Sequence, residues 1–130
     1  FIILNIMNQY RILIVEDDDF LLQMYAAKLE LEDFNVLTAN TGAQGLKTAQ
    51  KSLPDLILLD LNLPEMDGFE VLQHLKSEEA TKNIPVLILT NFAQKEHIDR
   101  CLDLGADDYL IKAHFVPSEV VTKIKNILST

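Results

Sequence analysis

Five short, almost wholly apolar runs, each separated from the next by a longer stretch of helical periodicity, constrain this chain more than any other feature. Arg11 to Val15 (RILIV), Asn35 to Thr38 (NVLT), Asp55 to Leu59 (DLILL), Pro85 to Leu89 (PVLIL) and Tyr109 to Ile111 (YLI) read as strands. Such near-continuous apolar runs, without polar alternation, mark strands covered on both faces. The intervening stretches carry apolar residues at helical spacing. Leu21, Leu22, Tyr25 and Leu29 follow Phe20, with Gln23, Lys28 and Glu30 on the other side. Ala43, Leu46 and Ala49 share one face between Thr41 and Gln50, where Gly42 and Gly45 weaken the helix. Phe69, Leu72 and Leu75 follow Gly68, and Ile98, Cys101 and Leu102 precede a stop near Gly105. Pro117 and Ser118 open a last helix with the stripe Val120, Val121, Ile124, Ile127 and Leu128. Parallel neighbours need crossover connections, and helices supply them. The expected fold is therefore α/β, a five-stranded parallel sheet with helices on both faces.

A length of 130 residues with 48% hydrophobic content suits one domain with one core, and no appended module is expected. Residues 1–7 read as an extension ahead of the domain or as residues foreign to it, and residues 8–130 as the domain. The opening FIILNIMNQY has no basic lead, no small-residue cleavage site and too little length to span a bilayer, so neither a signal nor a membrane span is expected. A cytoplasmic location is expected. Twenty acidic against eleven basic side chains, a net charge of −9, argue against a surface that tracks nucleic-acid phosphates. Cys101 is the single cysteine, so no intrachain disulfide is possible, and its helical setting reads as a small core residue. His74, His97 and His114 are scattered and read as surface or helix-packing side chains. The last apolar stripe ends within a few residues of the terminus, so no effector domain is expected to follow.

Ligands of open parallel sheets bind beyond the carboxyl ends of the strands, near the point where strand order reverses. Those ends read Glu16-Asp17, Asp60, Thr90 and Lys112. Three carboxylates in one crevice repel each other and raise one another's pKa values, which implies a cation. Mg²⁺ suits an all-oxygen set and commonly shares its shell with a phosphate, whereas no His or Cys cluster favours Zn²⁺. A carboxylate beside a divalent ion can attack phosphorus and form an acyl phosphate. Lys112 would give a compact positive charge to one phosphoryl oxygen and Thr90 a hydroxyl to another. Asp18 and Asp19 read as capping or first-turn charges, and Asp67-Gly68 as a loop turn and helix start.

The segments ILIVEDD, LILLDLNLPEMDGFEVL, VLILTN and GADDYLIKA resemble, in order and spacing, the four signature segments of the CheY-like receiver domains of two-component response regulators. The resemblance runs from Arg11 to Leu128. It implies a flavodoxin-like, doubly wound (βα)₅ fold with strand order 2-1-3-4-5. It also implies roles for single residues: Glu16 and Asp17 as the acidic pair, Asp60 as phosphoacceptor, Thr90 as the hydroxyl switch and Lys112 as the family's lysine. Asn62 resembles the position whose backbone carbonyl completes the metal shell, and Tyr109 the aromatic that turns inward on activation. Two positions depart from the pattern. Asn91 follows the switch hydroxyl where the family has a small residue, and Ala113 follows the lysine where the family has proline. A cis bond without proline costs roughly 3–4 kcal/mol, so the Lys112-Ala113 bond is expected to be trans.

The expected function is a phosphorylation-switched signalling module that takes a phosphoryl group on Asp60 with Mg²⁺ and signals through its fourth helix, fifth strand and fifth helix. Its only catalysis would be its own phosphorylation and dephosphorylation. Expected partners are a histidine kinase or phosphotransfer domain as donor, and a second receiver or a separate effector as reader; neither nucleic acid nor membrane is an expected direct partner. Two alternatives are a Mg²⁺-dependent phosphohydrolase working through an aspartyl phosphate, and a receiver-like scaffold that is never phosphorylated. The hydrolase class of haloacid-dehalogenase type carries an acid two residues after its nucleophile, where this chain has Asn62. The scaffold would have lost an acid or the lysine, and none is lost.

Overall fold

The structure is a computed structural model that describes residues 10–91, 94–112 and 116–129. The expectations for residues 1–7, the Lys112-Ala113 bond and His114 lie outside the described residues. Strands and helices alternate strictly: β1 (Arg11–Val15), α1 (Asp19–Leu31), β2 (Asn35–Ala39), α2 (Gly42–Ser52), β3 (Leu56–Asp60), α3 (Gly68–Ser77), β4 (Val86–Thr90), α4 (Lys95–Asp103), β5 (Asp108–Ile111) and α5 (Pro117–Leu128). All four strand pairings are parallel, in the order β2-β1-β3-β4-β5. The chain therefore builds outward from β1 to β2 and then reverses, returning to place β3 on the other side of β1. The reversal lies between β1 and β3.

The strand residues divide by parity into two cores. Leu13, Val15, Ile57, Leu59, Val86 and Ile88 face a layer made by α2, α3 and α4, through Ala49, Phe69, Val71, Leu72, Leu75 and Cys101. Ile12, Ile14, Leu56, Leu58, Leu87, Leu89 and Leu110 face α1 and α5, through Leu22, Tyr25, Ala26, Leu29, Val120, Val121 and Ile124. This is the two-residue alternation of a strand, expressed with apolar side chains on both sides because both sides are covered. Cys101 is the expected core residue, and burial pushes its thiol up to about 11, leaving it inert.

Local chemistry starts the helices where expected. Asp18 caps α1 by accepting from the Leu21 amide at 3.0 Å, Thr41 caps α2 through Gln44 at 3.1 Å, and Asp67 caps α3 through Glu70 at 3.0 Å. Several strand boundaries differ from the sequence reading by one residue, and those that bear on the site differ for clear reasons. Asp55 stands just before β3 because its carboxylate accepts from the Arg11 amide at 2.8 Å and so closes the strand's edge as a side chain. Thr90 and Asp60 are the last ladder residues of their strands rather than the first of the loops, paired with Ile111 and Leu89.

The glycines that weaken the α2 pattern are required by packing. A β-carbon at Gly45 would sit 2.7 and 2.8 Å from the two methyls of Val15, so only glycine lets α2 lie this close to β1. Gly45→Ala is therefore a contest between the roughly 1 kcal/mol that alanine gains in helix propensity and an overpacking penalty of about 1–3 kcal/mol against a buried, stiff valine. Packing is expected to win, with a net loss on the order of 1 kcal/mol in chemical denaturation. A Gly45→Ala variant more stable than the parent would show that α2 can back away freely.

Candidate functional site

β1 and β3 flank the topological reversal, and each ends in an acid. Parity settles where those acids go: Glu16 continues Ile12 and Ile14, and Asp60 continues Leu56 and Leu58, so both stand over the α1–α5 layer. Lys112, two residues past Leu110, joins them from β5. Its Nζ donates to Glu16 Oε1 at 2.6 Å and to Asp60 Oδ2 at 2.9 Å. The carboxylates are nearly sealed, with side-chain exposures of 1% each against 11% for the lysine. Backbone amides fix the remaining oxygens: Asn62 N–H donates to Asp60 Oδ1 at 3.0 Å, and Asp18 N–H to Glu16 Oε2 at 3.2 Å. The loop after β3 is drawn tight by α3, because the Gly68 amide donates to Leu61 O at 3.1 Å. A β-carbon on Gly68 would meet the Asp60 carbonyl oxygen at 2.5 Å.

Asp17 is exposed at the rim, yet it offers an oxygen to the same place. Among the described residues, Glu16, Asp17 and Asp60 each present a carboxylate oxygen within 4.8 Å of the others. The donor set is all oxygen and carries more negative charge than Lys112 offsets, which fits a hard divalent cation such as Mg²⁺. Asn62, exposed two residues beyond Asp60, is placed by its amide bond to Asp60 Oδ1.

The electrostatics show the tension of this arrangement. Burial, and then the nearby Asp60 charge, push Glu16 up from the ordinary glutamate value to about 7, against the pull of its hydrogen bonds from Lys112 and the Asp18 amide. Burial alone would depress Lys112, but its bonds to Glu16 and Asp60 outweigh that and hold it above the ordinary lysine value.

Thr90 and Tyr109 belong to the other layer. Thr90 continues Val86 and Ile88, and half-buried Tyr109 packs against the α2–α4 core. Glu16, Asp17, Asp60, Asn62, Thr90 and Lys112 thus come to the carboxyl end of the sheet, with Glu16, Asp60 and Lys112 over one face and Thr90 over the other, whereas Tyr109 stands on the Thr90 face but pairs with Ile88 in the middle of β4. Two features were missed. Tyr25 read only as an apolar-stripe position, although its phenol feels the charges of Lys112, Glu16, Asp60 and Asp18 after the larger effect of burial, which raises its pKa. Phe69 read as simple core, yet the Arg100 guanidinium lies 4.0 Å over its ring and the His97 ring is centred 5.8 Å away, joining α3 to α4. The buried phenol was signalled by tyrosine's polar tip in an apolar stripe; the clasp between helices had no sequence signal.

With this geometry in hand, comparison with known proteins is decisive. Residues 12–125 match the response regulator receiver domain family. The chain is a member of that family. Among its relatives, the DNA-binding dual master transcriptional regulator RpaA of Synechocystis is 41% identical over 91% of this chain and 48% of its own length. The alkaline phosphatase synthesis regulator PhoP of Bacillus subtilis is 40% identical over 91% of this chain and 48% of its own length. The chain thus spans about half the length of the curated relatives it matches. Among solved structures, a CheY-like receiver domain protein of Methanospirillum hungatei superposes with a TM-score of 0.86 at 32% identity, covering 93% of this chain and 94% of that one. Chemotaxis protein CheY4 of Vibrio cholerae gives 0.85 at 30% identity, covering 91% and 98%.

The Glu16 shift has a testable sign. Between about pH 4.5 and 7 the folded protein keeps a proton that the unfolded chain has lost, so stability falls as pH rises through that window and levels off above it. The drop attributable to Glu16 is roughly 3 kcal/mol. In thermal melts with a chelator, Glu16→Gln is expected to flatten this part of the profile. An unchanged slope in the variant would show that Glu16 is already ionised in the fold.

Proposed function

We propose that this receiver domain takes a phosphoryl group on Asp60, and that a phosphohistidine of a histidine kinase or phosphotransfer domain supplies it. The observation that carries this reading is the sealed Asp60 carboxylate, at the topological reversal, bonded at 2.9 Å to a lysine it shares with a second buried acid. A carboxylate oxygen of Asp60 forms the new bond to phosphorus as the bond from phosphorus to the donor imidazole nitrogen breaks, and the imidazole leaves with the electron pair. Glu16, Asp17, Asp60 and the Asn62 carbonyl would hold Mg²⁺, with Glu16 acting through a water. The ion, when bound, neutralises charge that develops on the phosphoryl oxygens. Lys112 turns from its acid partners to a phosphoryl oxygen, and Thr90 donates its hydroxyl to another.

The added charge, about −1.5 to −2 at neutral pH, falls beside Thr90 and, through it, on the layer that carries Tyr109 and α4. A packed element with two arrangements can follow such a charge. The output surface is then α4, β5 and α5, Gln94 to Ser129, read by a second receiver or a separate effector. With a net charge of −9 the chain does not itself serve as the DNA-contacting part. The hydrolase reading has no support here, since Asn62 provides no second acid. Among the described residues no helix is long and apolar enough to cross a membrane, and we place the working domain in the cytoplasm.

Asp60→Asn is expected to abolish incorporation from a small phosphodonor with Mg²⁺, read by intact mass, while the fold melts normally; full-yield labelling of the variant would sink the assignment. In the same assay a stable single adduct marks the switch, and steady release of phosphate would mark the hydrolase. Calorimetry should show Mg²⁺ affinity falling at least tenfold in Asp17→Ala, and unchanged affinity would mean the ion sits elsewhere. For output, a phosphoryl mimic with Mg²⁺ should shift amide resonances across residues 94–112 and 116–129 more than in α2. Changes confined to the crevice would favour the passive scaffold.

A further inference from the structure

The loop that leaves Asp60 is gripped from outside as well as from within. Inside it, the Asn62 amide donates to Asp60 Oδ1 at 3.0 Å, and Leu61 O accepts from the Leu63 and Gly68 amides at 3.0 and 3.1 Å. Buried Leu61 and Leu63 anchor it in the α2–α4 core, while Asn62, Pro64 and Glu65 stay exposed. From outside comes α2. A β-carbon on Gly42, the first residue of that helix, would lie 2.1 Å from the Met66 carbonyl oxygen and 3.0 Å from a Val71 methyl. The nearest atom is backbone, so no side-chain rotation relieves the overlap. Nor is α2 free to retreat. Thr41 caps it through the Gln44 amide, Gly45 lies against Val15, and the Glu16 amide donates to Ala39 O, just upstream of the cap, at 3.1 Å.

We propose that Gly42 is a positioning residue for the Mg²⁺ site: its missing side chain seats the Met66 carbonyl, and that seat keeps the loop on the path in which the Asn62 amide reaches Asp60 Oδ1. This inference rests on the metal and phosphoacceptor reading above, in which Asp60 and the Asn62 carbonyl hold the ion. Gly42 is no ligand itself. It acts through residues 61–67, a loop closed on itself at Leu61, so a displacement at Met66 is passed to Asn62 rather than lost in slack chain. Real β-carbons keep at least 3.0 Å from such an atom, so a methyl at position 42 demands a shift of roughly 1 Å. Mg²⁺ requires near-octahedral geometry with oxygens at about 2.0–2.1 Å, and a shift of that size in a ligand-bearing loop is felt at the ion.

The test is Gly42→Ala in the full chain, compared with Gly45→Ala, which adds the same methyl to the same helix but presses on the Val15 side chain instead of the loop backbone. Without metal, the Asn62 amide resonance is expected to move in Gly42→Ala and to stay in place in Gly45→Ala. Mg²⁺ affinity by calorimetry should fall roughly tenfold in Gly42→Ala and remain at the parental value in Gly45→Ala. A folded Gly42→Ala that matches the parent in both readings would overturn the proposal, and so would equal losses of affinity in the two variants. A second measurement uses the parent chain and does not depend on how Gly42→Ala folds. Coupling is reciprocal, so Mg²⁺ titrated into the parent should move the Gly42 and Asn62 amides with one midpoint. A Gly42 amide that stays put while Asn62 moves would also overturn the proposal. If the parent binds no Mg²⁺, the metal reading fails instead, and the Asn62 amide of metal-free Gly42→Ala still decides whether Gly42 holds the loop.

Discussion

Two carboxylates can be sealed side by side at adjacent strand ends only because the Lys112 ammonium lies against both. Breaking such a buried cluster by removing one partner leaves an uncompensated charge, typically at a cost of several kcal/mol. The sheet order exists in service of this contact. Placing β3 beside β1 brings Asp60 to Glu16, and placing β5 two strands further out sets Lys112 at a distance that its four-carbon stem spans. The arrangement is compensated but not relaxed. Burial first, and the Asp60 charge after it, keep Glu16 near 7 despite the lysine, and the three carboxylate oxygens gathered here are what a hard cation would answer.

The layers also divide the work. Glu16, Asp60 and Lys112 rise from the α1–α5 side, whereas Thr90 and Tyr109 rise from the α2–α4 side. Mechanical connection between the sides runs through the backbone after β3. Gly68 abuts the Asp60 carbonyl, Phe69 follows it, and Arg100 and His97 of α4 close on the Phe69 ring. Close-packed interiors transmit displacement rather than absorb it, so α4 bears on Phe69 at the start of α3, next to the glycine that abuts the acceptor's carbonyl.

Most of this was legible in the sequence, for reasons that can be stated. Apolar runs ending in acids marked β1 and β3, and side-chain caps at Asp18, Thr41 and Asp67 marked helix starts, because both signals are local. What was not legible is non-local. Gly45 looked like a defect in α2 until Val15 was seen beneath it, and Asp55 looked like a strand residue until the Arg11 amide claimed its carboxylate. Tyr25 fitted a helical stripe so well that its hydroxyl went unweighed. Phe69 gave no hint of the Arg100 guanidinium, since thirty positions of chain separate the two and no periodicity links them.

The two-residue repeat of the strands gives the site a reading frame. Moving an acid one position along β3 would not displace it slightly; it would carry the carboxylate through the sheet into the opposite layer, away from Lys112 and into the company of Phe69 and Leu72. Single-residue insertions inside β1, β3 or β5 are therefore frameshifts in space, whereas the same insertions in the turns between elements leave the frame intact. A domain of this kind can vary the lengths of its loops while the register of five short strands stays quantised, and its chemistry is inherited through that register.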